Sequence, residues 1–265
     1  MPLSSFVGGM VDHPLEFGVS DMSSGKRRVV ITGMGAVTPL GHTVDSMFHA
    51  QLEGRSGVGP ITRFDARNFP TTFAAEVKEF ELGSWLKDCT RWKNCGVNSQ
   101  FAAAAAQQAL DHSGLLGLLS TGKVKSGRFG IYLGSGEGIQ DFNNLMWETA
   151  QAYNPATRAL DYPVFCRGAR ESFHAEAEEE QELHSTAQHL AGYFGIEGPN
   201  YNCLTACAAS AQALGEALDM IRYGDAEIIL AGGAHSMIHP FGVTGFNLLT
   251  ALSTNNSNPQ GASRP

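Results

Sequence analysis

The sequence predicts an α/β protein built around a mostly parallel β-sheet. Short runs of apolar, β-branched residues alternate along the chain with longer segments of helical composition. These runs are apolar throughout, which is typical of strands that are buried on both faces of a parallel sheet. Strands that alternate with helices favour layers of helix packed on such a sheet.

The first half of the chain contains three clear elements. The run "RRVVITGMG" (27–35) predicts a short buried strand, because a β-branched stretch meets charge on one side and a glycine turn on the other. The segment "VDSMFHAQLEG" (44–54) predicts a helix that ends at Gly54. The segment "NSQFAAAAAQQALDHSG" (98–114) predicts a strong helix, because Ala, Gln and Leu are good helix formers and Gly114 follows its end.

The second half repeats the alternation. Strands are predicted in "RFGIYLGSGEG" (128–138) and "AEIILAGGA" (226–234), and helices in "ELHSTAQHLAGYFG" (182–195) and "CAASAQALGEALDMIRYG" (207–224). Between them, residues 167–182 are acidic and poor in apolar side chains, which predicts a solvated helix or surface excursion. We assign residues 1–27 to an N-terminal extension and residues 28–265 to one folded domain.

Composition and charge exclude several classes of function. The 265 residues are 43% hydrophobic and 17% charged with a net charge of −8, which argues against nucleic acid as the main partner. No apolar run reaches the roughly 18 residues of a transmembrane helix, so we expect no membrane partner. Five cysteines, an odd number, form no disulfide framework and favour a reducing compartment, for which we take the cytoplasm.

Cofactor motifs are weak. Gly33, Gly35 and Thr38 resemble a dinucleotide-binding turn, but Pro39 follows where a helix should already run, which favours a plain tight turn. The glycines at 134–138 lack the ending of a phosphate-binding loop. The histidines show no consistent zinc spacing. We therefore predict neither a cofactor nor a metal.

Cys207 is the candidate catalytic residue. It lies at the boundary between the extended segment "YNCLT" and a helix of small residues. The free N–H groups and the dipole of a helix N-terminus favour an anion there, and the thiolate is the reactive form of cysteine. The alternative is an inert structural thiol, which is the common fate of cysteines. The neighbouring Cys203 is predicted to lie in the core.

Five blocks of this sequence resemble successive blocks of the β-ketoacyl-acyl carrier protein synthases, closest to the elongating synthase II type. They are "VVITGMGAVTPLG" (29–41), "YLGSGEG" (132–138), "GPNYNCLTACAAS" (198–210), "YGDAEIILAGGA" (223–234) and "GFNLLTALSTNNSNPQGASRP" (245–265). The resemblance implies the N-terminal half of a thiolase-like fold with α/β/α/β/α layers. It also implies that Cys207 accepts an acyl group from acyl carrier protein or coenzyme A as a thioester, after which malonyl-carrier protein loses CO2 and its carbanion attacks the thioester. A homodimer that pairs near residues 201–204 is implied as well.

The resemblance further implies roles for other residues. Phe246 matches a phenylalanine that lines the acyl pocket, and Glu137 stands beside that pocket where the family often has an apolar or small residue. Glu137 therefore predicts a shorter or more polar acyl chamber; the alternative is that it turns to solvent or pairs with an arginine. Lys87, Arg91 and Lys93 form a basic cluster in the region where the family docks its acidic carrier protein; the alternative is a solvated loop.

The family's catalytic histidines and supporting lysine belong to a second half that this sequence does not contain. We therefore expect a fragment, a truncated reading frame or one half of a split protein, with apolar surface left uncovered. Two alternatives remain open at this point. One is a non-catalytic partner subunit of the same fold, and the other is a nicotinamide-dependent oxidoreductase that uses the 33–38 turn.

Overall fold

The computed structural model describes residues 27–136, 138 and 141–263. In chain order, its helices and strands are α1 (Val44–Leu52), β1 (Val58–Pro60), β2 (Phe73–Ala75), α2 (Val97–Ser113), α3 (Leu115–Ser120), β3 (Phe129–Ser135), α4 (Phe142–Ala152), β4 (Tyr153–Asn154), β5 (Ala159–Leu160), α5 (Tyr162–Ser172), α6 (Ala175–Glu179), α7 (Ser185–Phe194), β6 (Asn200–Cys203), α8 (Ala209–Tyr223), β7 (Ile228–Ala234) and α9 (Pro240–Leu248). No helix in these ranges is long and apolar enough to cross a membrane.

The central sheet is parallel, as the apolar runs predict. Its strand order is β6-β3-β7, so β3 lies in the middle, and two small antiparallel pairs, β1-β2 and β4-β5, stand apart from it. Side chains alternate along β3: Ile131 and Leu133 join the core that α2 and α7 build, while Gly134 faces α8. The sheet is thus covered by helices on both faces.

Small residues let the covering helices approach closely. Ala103 and Ala104 of α2 are fully buried in the same cluster as Phe129 of β3 and Leu190 of α7. Glycines end the long helices where the sequence predicts them: Gly114, Gly195 and Gly224 have φ of +68°, +66° and +86°. Only glycine adopts this left-handed conformation without strain, so these residues fix the helix ends.

The strand predicted at 27–35 is not formed. Val30 and Ile31 are 65% and 78% exposed, and the described part of this stretch contains no strand. The segment lies along α2 instead, where Met34 N–H donates to His112 Nδ1 at 3.3 Å. A Cβ on Gly35 would stand 1.9 Å from the carbonyl oxygen of Ala105, so the glycines serve contact with a helix, not a turn after a strand.

The acidic segment is only partly a solvated excursion. It forms α5 and the short α6, and Glu176 and Glu179 are exposed as predicted. Glu180 is different: it is 8% exposed and its side chain turns inward. It is held there by a hydrogen bond from the backbone N–H of Gly96 and by the ring of His189, which together offset the cost of burying a carboxylate.

Candidate functional site

The candidate site lies at the carboxyl edge of the central sheet. Because β3, β6 and β7 are parallel, their C-terminal residues Ser135, Cys203 and Ala234 end at one edge. Ligands of open α/β sheets bind in the crevice outside this edge. The turn that carries Cys207 follows β6 directly.

The Cys207 turn is exposed and has an unusual backbone. Residues Ala206–Ala208 form a 3-10 turn between β6 and α8, and all three are exposed. Ala206 has φ of +49°, in the left-handed region that non-glycine residues rarely adopt. Backbone strain of this kind clusters at functional sites, where the surrounding structure maintains it. The turn presents the thiol of Cys207 to solvent.

The N-terminus of α8 begins two residues after Cys207. The sequence predicts Cys207 at or within the first turn of this helix, and the structure places it just ahead of that turn, in the 3-10 turn Ala206–Ala208. Ala208 is the N-cap and supplies no side-chain hydrogen bond. Uncapped N–H groups and the helix dipole both favour negative charge beside them.

Two glycines of the sheet allow the N-terminus of α8 to pack closely against it. A Cβ on Gly134 would lie 2.3 Å from the carbonyl carbon of Ala209 and 2.4 Å from the nitrogen of Ser210. A Cβ on Gly233, in the neighbouring strand, would lie 2.7 Å from Cβ of Ser210. The position of the Cys207 turn therefore depends on residues without side chains directly beneath it.

Cys203 has a different environment from Cys207. Its Sγ lies 3.3 Å from the carbonyl oxygen of Ala209 and donates to it, which ties the end of β6 to the start of α8. The side chain is half-buried, less enclosed than the predicted core position. Cys203 therefore holds the end of β6 against the start of α8, while Cys207 is the thiol that faces solvent.

His235 follows β7 at the same edge. Its ring occupies the space over Gly136, where a Cβ would stand 2.3 Å from Cε1 of the imidazole. His235 also lines a cavity of about 190 Å³ together with Val37, Phe101 and Met237. The residue after β3 is thus in close contact with the histidine after β7, and a side chain at Gly136 would require the His235 ring to move.

The other predicted site residues are dispersed. Phe246 lies half-buried on α9, and Glu137 is outside the described residues. Lys87, Arg91 and Lys93 are all exposed around a 3-10 turn that the buried Trp92 anchors. Within the described ranges, no hydrogen bond or ion pair connects these three cations to the Cys207 turn.

Comparison with known proteins gives a decisive match. Residues 26–265 match the family described as "Beta-ketoacyl synthase, N-terminal domain". The chain belongs to the β-ketoacyl synthase family. This confirms the resemblance seen in the sequence blocks.

Individual relatives agree with this family. The chain is 37% identical over 240 residues to a 3-oxoacyl-[acyl-carrier-protein] synthase 2 of Coxiella burnetii, covering 91% of this chain and 53% of that protein. A crystal structure of a β-ketoacyl synthase from Burkholderia phymatum matches with a TM-score of 0.70 and 29% identity, over 91% of this chain and 54% of that one. A second solved structure, a type II polyketide synthase acyl carrier protein in complex with its ketosynthase, matches with a TM-score of 0.64 and 25% identity over 87% of this chain and 51% of that one. The thiolase-like fold prediction is thereby confirmed, and this ketosynthase chain spans about half the length of the relatives that it matches.

Sequence reasoning missed the residues that support the turn. Gly134 and Gly233 were visible only as parts of glycine-rich strand ends, and nothing in the sequence marks which glycine faces the helix. The left-handed conformation of Ala206 carries no local signal either, because alanine is not a residue that prefers it.

Proposed function

We propose that this ketosynthase chain accepts an acyl group from acyl carrier protein as a thioester on Cys207. The observation that carries the proposal is the exposed Cys207 thiol on a strained turn between β6 and the uncapped N-terminus of α8. The Cys207 thiolate attacks the acyl carbonyl carbon, a new C–S bond forms, and the C–S bond to the carrier breaks. The proton of Cys207 ends on the carrier's thiol. In this proposal, backbone N–H groups of the turn stabilise the transient oxyanion.

The second step is decarboxylative condensation in the whole protein. Malonyl-carrier protein loses CO2, the resulting carbanion attacks the Cys207 thioester, and the β-ketoacyl product leaves two carbons longer on the carrier while the thiol is restored. This step serves fatty acid or polyketide chain elongation in the cytoplasm. It requires positioned donors for the enolate charge. We assign those donors to the half of the family's length that this chain does not span.

The surface of the chain supports a larger assembly. Tyr201 within the edge strand β6 and Leu204 just beyond its end are 54% and 49% exposed, which suits the proposed pairing across a homodimer two-fold. Leu214 on the outer face of α8 is 51% exposed, and Leu248 and Leu249 are 79% and 71% exposed. In this proposal these apolar side chains belong to surfaces that the rest of the assembly covers.

Removal of the Cys207 thiol should abolish acyl transfer. We expect the reduced 265-residue chain, incubated with acyl carrier protein charged with an acyl group, to gain the mass of one acyl group and to release free carrier. The Cys207→Ala variant should show neither. Cys166 is the matched control because it is also an exposed free cysteine. An adduct that survives Cys207→Ala and disappears in Cys166→Ala would contradict the proposal.

The basic cluster provides the carrier docking surface in this proposal. We expect the triple reversal Lys87→Glu, Arg91→Glu, Lys93→Glu to weaken binding of acyl carrier protein at least about tenfold at low salt, and to flatten the salt dependence of the binding constant. Reversal of Lys123, Lys125 and Arg158, which are exposed elsewhere and change the net charge equally, serves as the control. Equal affinities and equal salt slopes for the two triple variants would show that the cluster is only a solvated loop.

The acyl pocket completes the proposal. Phe246 lines the chamber from α9, and Glu137, after β3, makes it shorter or more polar. In the sequence, Glu137 comes two residues after the last residue of β3, and Phe246 belongs to α9, the helix that follows β7. The resemblance to the family's pocket residues is what supports these two assignments.

A further inference from the structure

A cluster of metal-ligating side chains lies outside the Cys207 turn. One ligand atom each from Cys95, Glu180 and His189 falls within 4.8 Å of the others. The three residues come from separate elements: the loop before α2, the end of α6 and the middle of α7. The fold therefore assembles a donor set that no local sequence spacing reveals.

The cluster is enclosed by protein. Cys95 and Glu180 are each 8% exposed, and the side chain of His189 is 22% exposed. The ring of Trp92, itself buried, lies 5.9 Å from the His189 ring by centroids and forms one wall. A carboxylate in such surroundings needs a positive partner, and His189 is the most exposed of the three side chains.

The donor atoms are oriented by their surroundings. Glu180 Oε2 accepts a hydrogen bond from the backbone N–H of Gly96 at 3.0 Å, which leaves Oε1 facing His189 Nε2 at 2.5 Å. The thiol of Cys95 donates to the carbonyl oxygen of Arg91 at 3.3 Å. The bond from Gly96 is an outer hydrogen bond of the kind that holds metal ligands in place in established sites, whereas the bond from Cys95 is given up when its thiol loses the proton.

We propose that Cys95, Glu180 and His189 bind one divalent metal ion of the zinc class. A thiolate, an imidazole and a carboxylate form a mixed set that suits zinc and not the all-oxygen preference of calcium or magnesium. Three protein ligands leave a fourth tetrahedral position for water. The separation of 2.5 Å between Glu180 Oε1 and His189 Nε2 opens by about 1 Å when the metal replaces the proton between them. Binding releases that proton and the proton of the Cys95 thiol to solvent, because ligands must be deprotonated.

A metal at this position would link the acidic segment to the core. The residues after Glu180 contact the end of β3: Ser135 Oγ donates to the carbonyl oxygen of Leu183 at 2.8 Å, and Gly138 N–H donates to that of Gln181 at 3.1 Å. The bound metal would therefore help to hold Ser135 and Gly138 in place at the carboxyl edge. None of its three ligands is part of the Cys207 turn.

Cobalt(II) titration of the full chain tests the proposal. The chain is reduced, freed of metal with a chelator and returned to buffer, and Co2+ is added while the thiolate-to-cobalt charge-transfer band is recorded. We expect the band to saturate at one equivalent and to be removed by one equivalent of Zn2+. Cys95→Ser and His189→Gln should each weaken binding at least about a hundredfold. Cys89→Ser, which removes a neighbouring thiol outside the cluster, should leave the titration unchanged.

A measurement on the wild-type chain tests the proposal even if the variants fail to fold. Zinc X-ray absorption of the loaded wild-type chain should show one sulfur at about 2.3 Å, with nitrogen and oxygen atoms completing the shell at about 2.0–2.2 Å. Two or more sulfur neighbours, or the absence of a charge-transfer band at one equivalent, would overturn the proposal. So would a band of full intensity in Cys95→Ser.

Discussion

Replacement of Gly134 by alanine should destabilise the chain by about 3 kcal/mol or more, as overpacking against a rigid neighbour does. The added Cβ would stand 2.3, 2.4 and 2.5 Å from backbone atoms of Ala209 and Ser210. None of these atoms is the end of a flexible side chain, so either β3 or the N-terminus of α8 must move. Since Cys207 lies two residues before α8, acylation should fall with stability. Denaturant unfolding and the acyl-transfer assay measure the two effects.

Gly232→Ala is the matched control for this substitution. Gly232 lies in the neighbouring strand β7, opposite Leu133, and a Cβ built on it meets no atom within 4 Å. We expect Gly232→Ala to change the free energy of unfolding by less than about 0.5 kcal/mol, as open surface positions do. Equal effects of the two alanines would show that strand propensity, not the approach of α8, decides the outcome.

Glu180→Gln should destabilise the metal-free chain by about 2–3 kcal/mol near pH 6. Removal of one partner from a buried ion pair leaves the other charge uncompensated. Glutamine keeps the shape of the side chain and can still accept the hydrogen bond from the N–H of Gly96. The decrease in the free energy of unfolding therefore measures the effect of the charge of Glu180 and not of its volume. Glu182→Gln removes the same charge from an exposed position two residues away and should be nearly neutral. Equal losses for the two variants would contradict the buried pair.

The same pair predicts how stability depends on pH when a chelator keeps the cluster empty. Hydrogen bonds to Cys95 and Glu180 raise the pKa of His189 from 6.5 to about 9. The contribution of protonated His189 to the free energy of unfolding is therefore complete below about pH 6.5, and it is lost as the pH rises through about 9. Burial alone would raise the pKa of Glu180, but hydrogen bonds from His189 and Gly96 outweigh it and lower that pKa below 4.5.

The contribution of Glu180 is consequently complete above about pH 4.5 and is lost as the pH falls through its lowered pKa. Together the two groups should contribute most to the free energy of unfolding between about pH 4.5 and 6.5. That free energy should fall by about 2 kcal/mol by pH 9, after allowance for the partial exposure of His189. In Glu180→Gln the decline between pH 6.5 and 9 should be shallower. An identical decline in both proteins would show that another group titrates.

The sequence predicted the helices and the position of Cys207 between strand and helix because those signals are local. Helix composition with a following glycine located α2, α7 and α8, and the boundary between apolar strand and small-residue helix located Cys207. The family blocks then specified the fold. Each of these rests on neighbours along the chain, which a sequence displays directly.

The features that the sequence did not predict depend on contacts between distant segments. The apolar run at 29–31 has the composition of a strand, but the structure lays this stretch along α2, and Val30 and Ile31 stay exposed. Glu180 belongs to an acidic run and yet is buried, because its partners Gly96 and His189 come from other parts of the chain. The cluster with Cys95 escaped the search for zinc spacing for the same reason.

The central claim is that Cys207 is the acyl acceptor. The most direct measurement is peptide mapping of the wild-type chain after reaction with acyl-charged carrier protein, at a pH low enough to preserve the thioester. We predict a single acylated peptide, with the acyl group on Cys207. An acyl group found on Cys203, Cys166 or another residue, or a folded chain that carries none, would contradict the account.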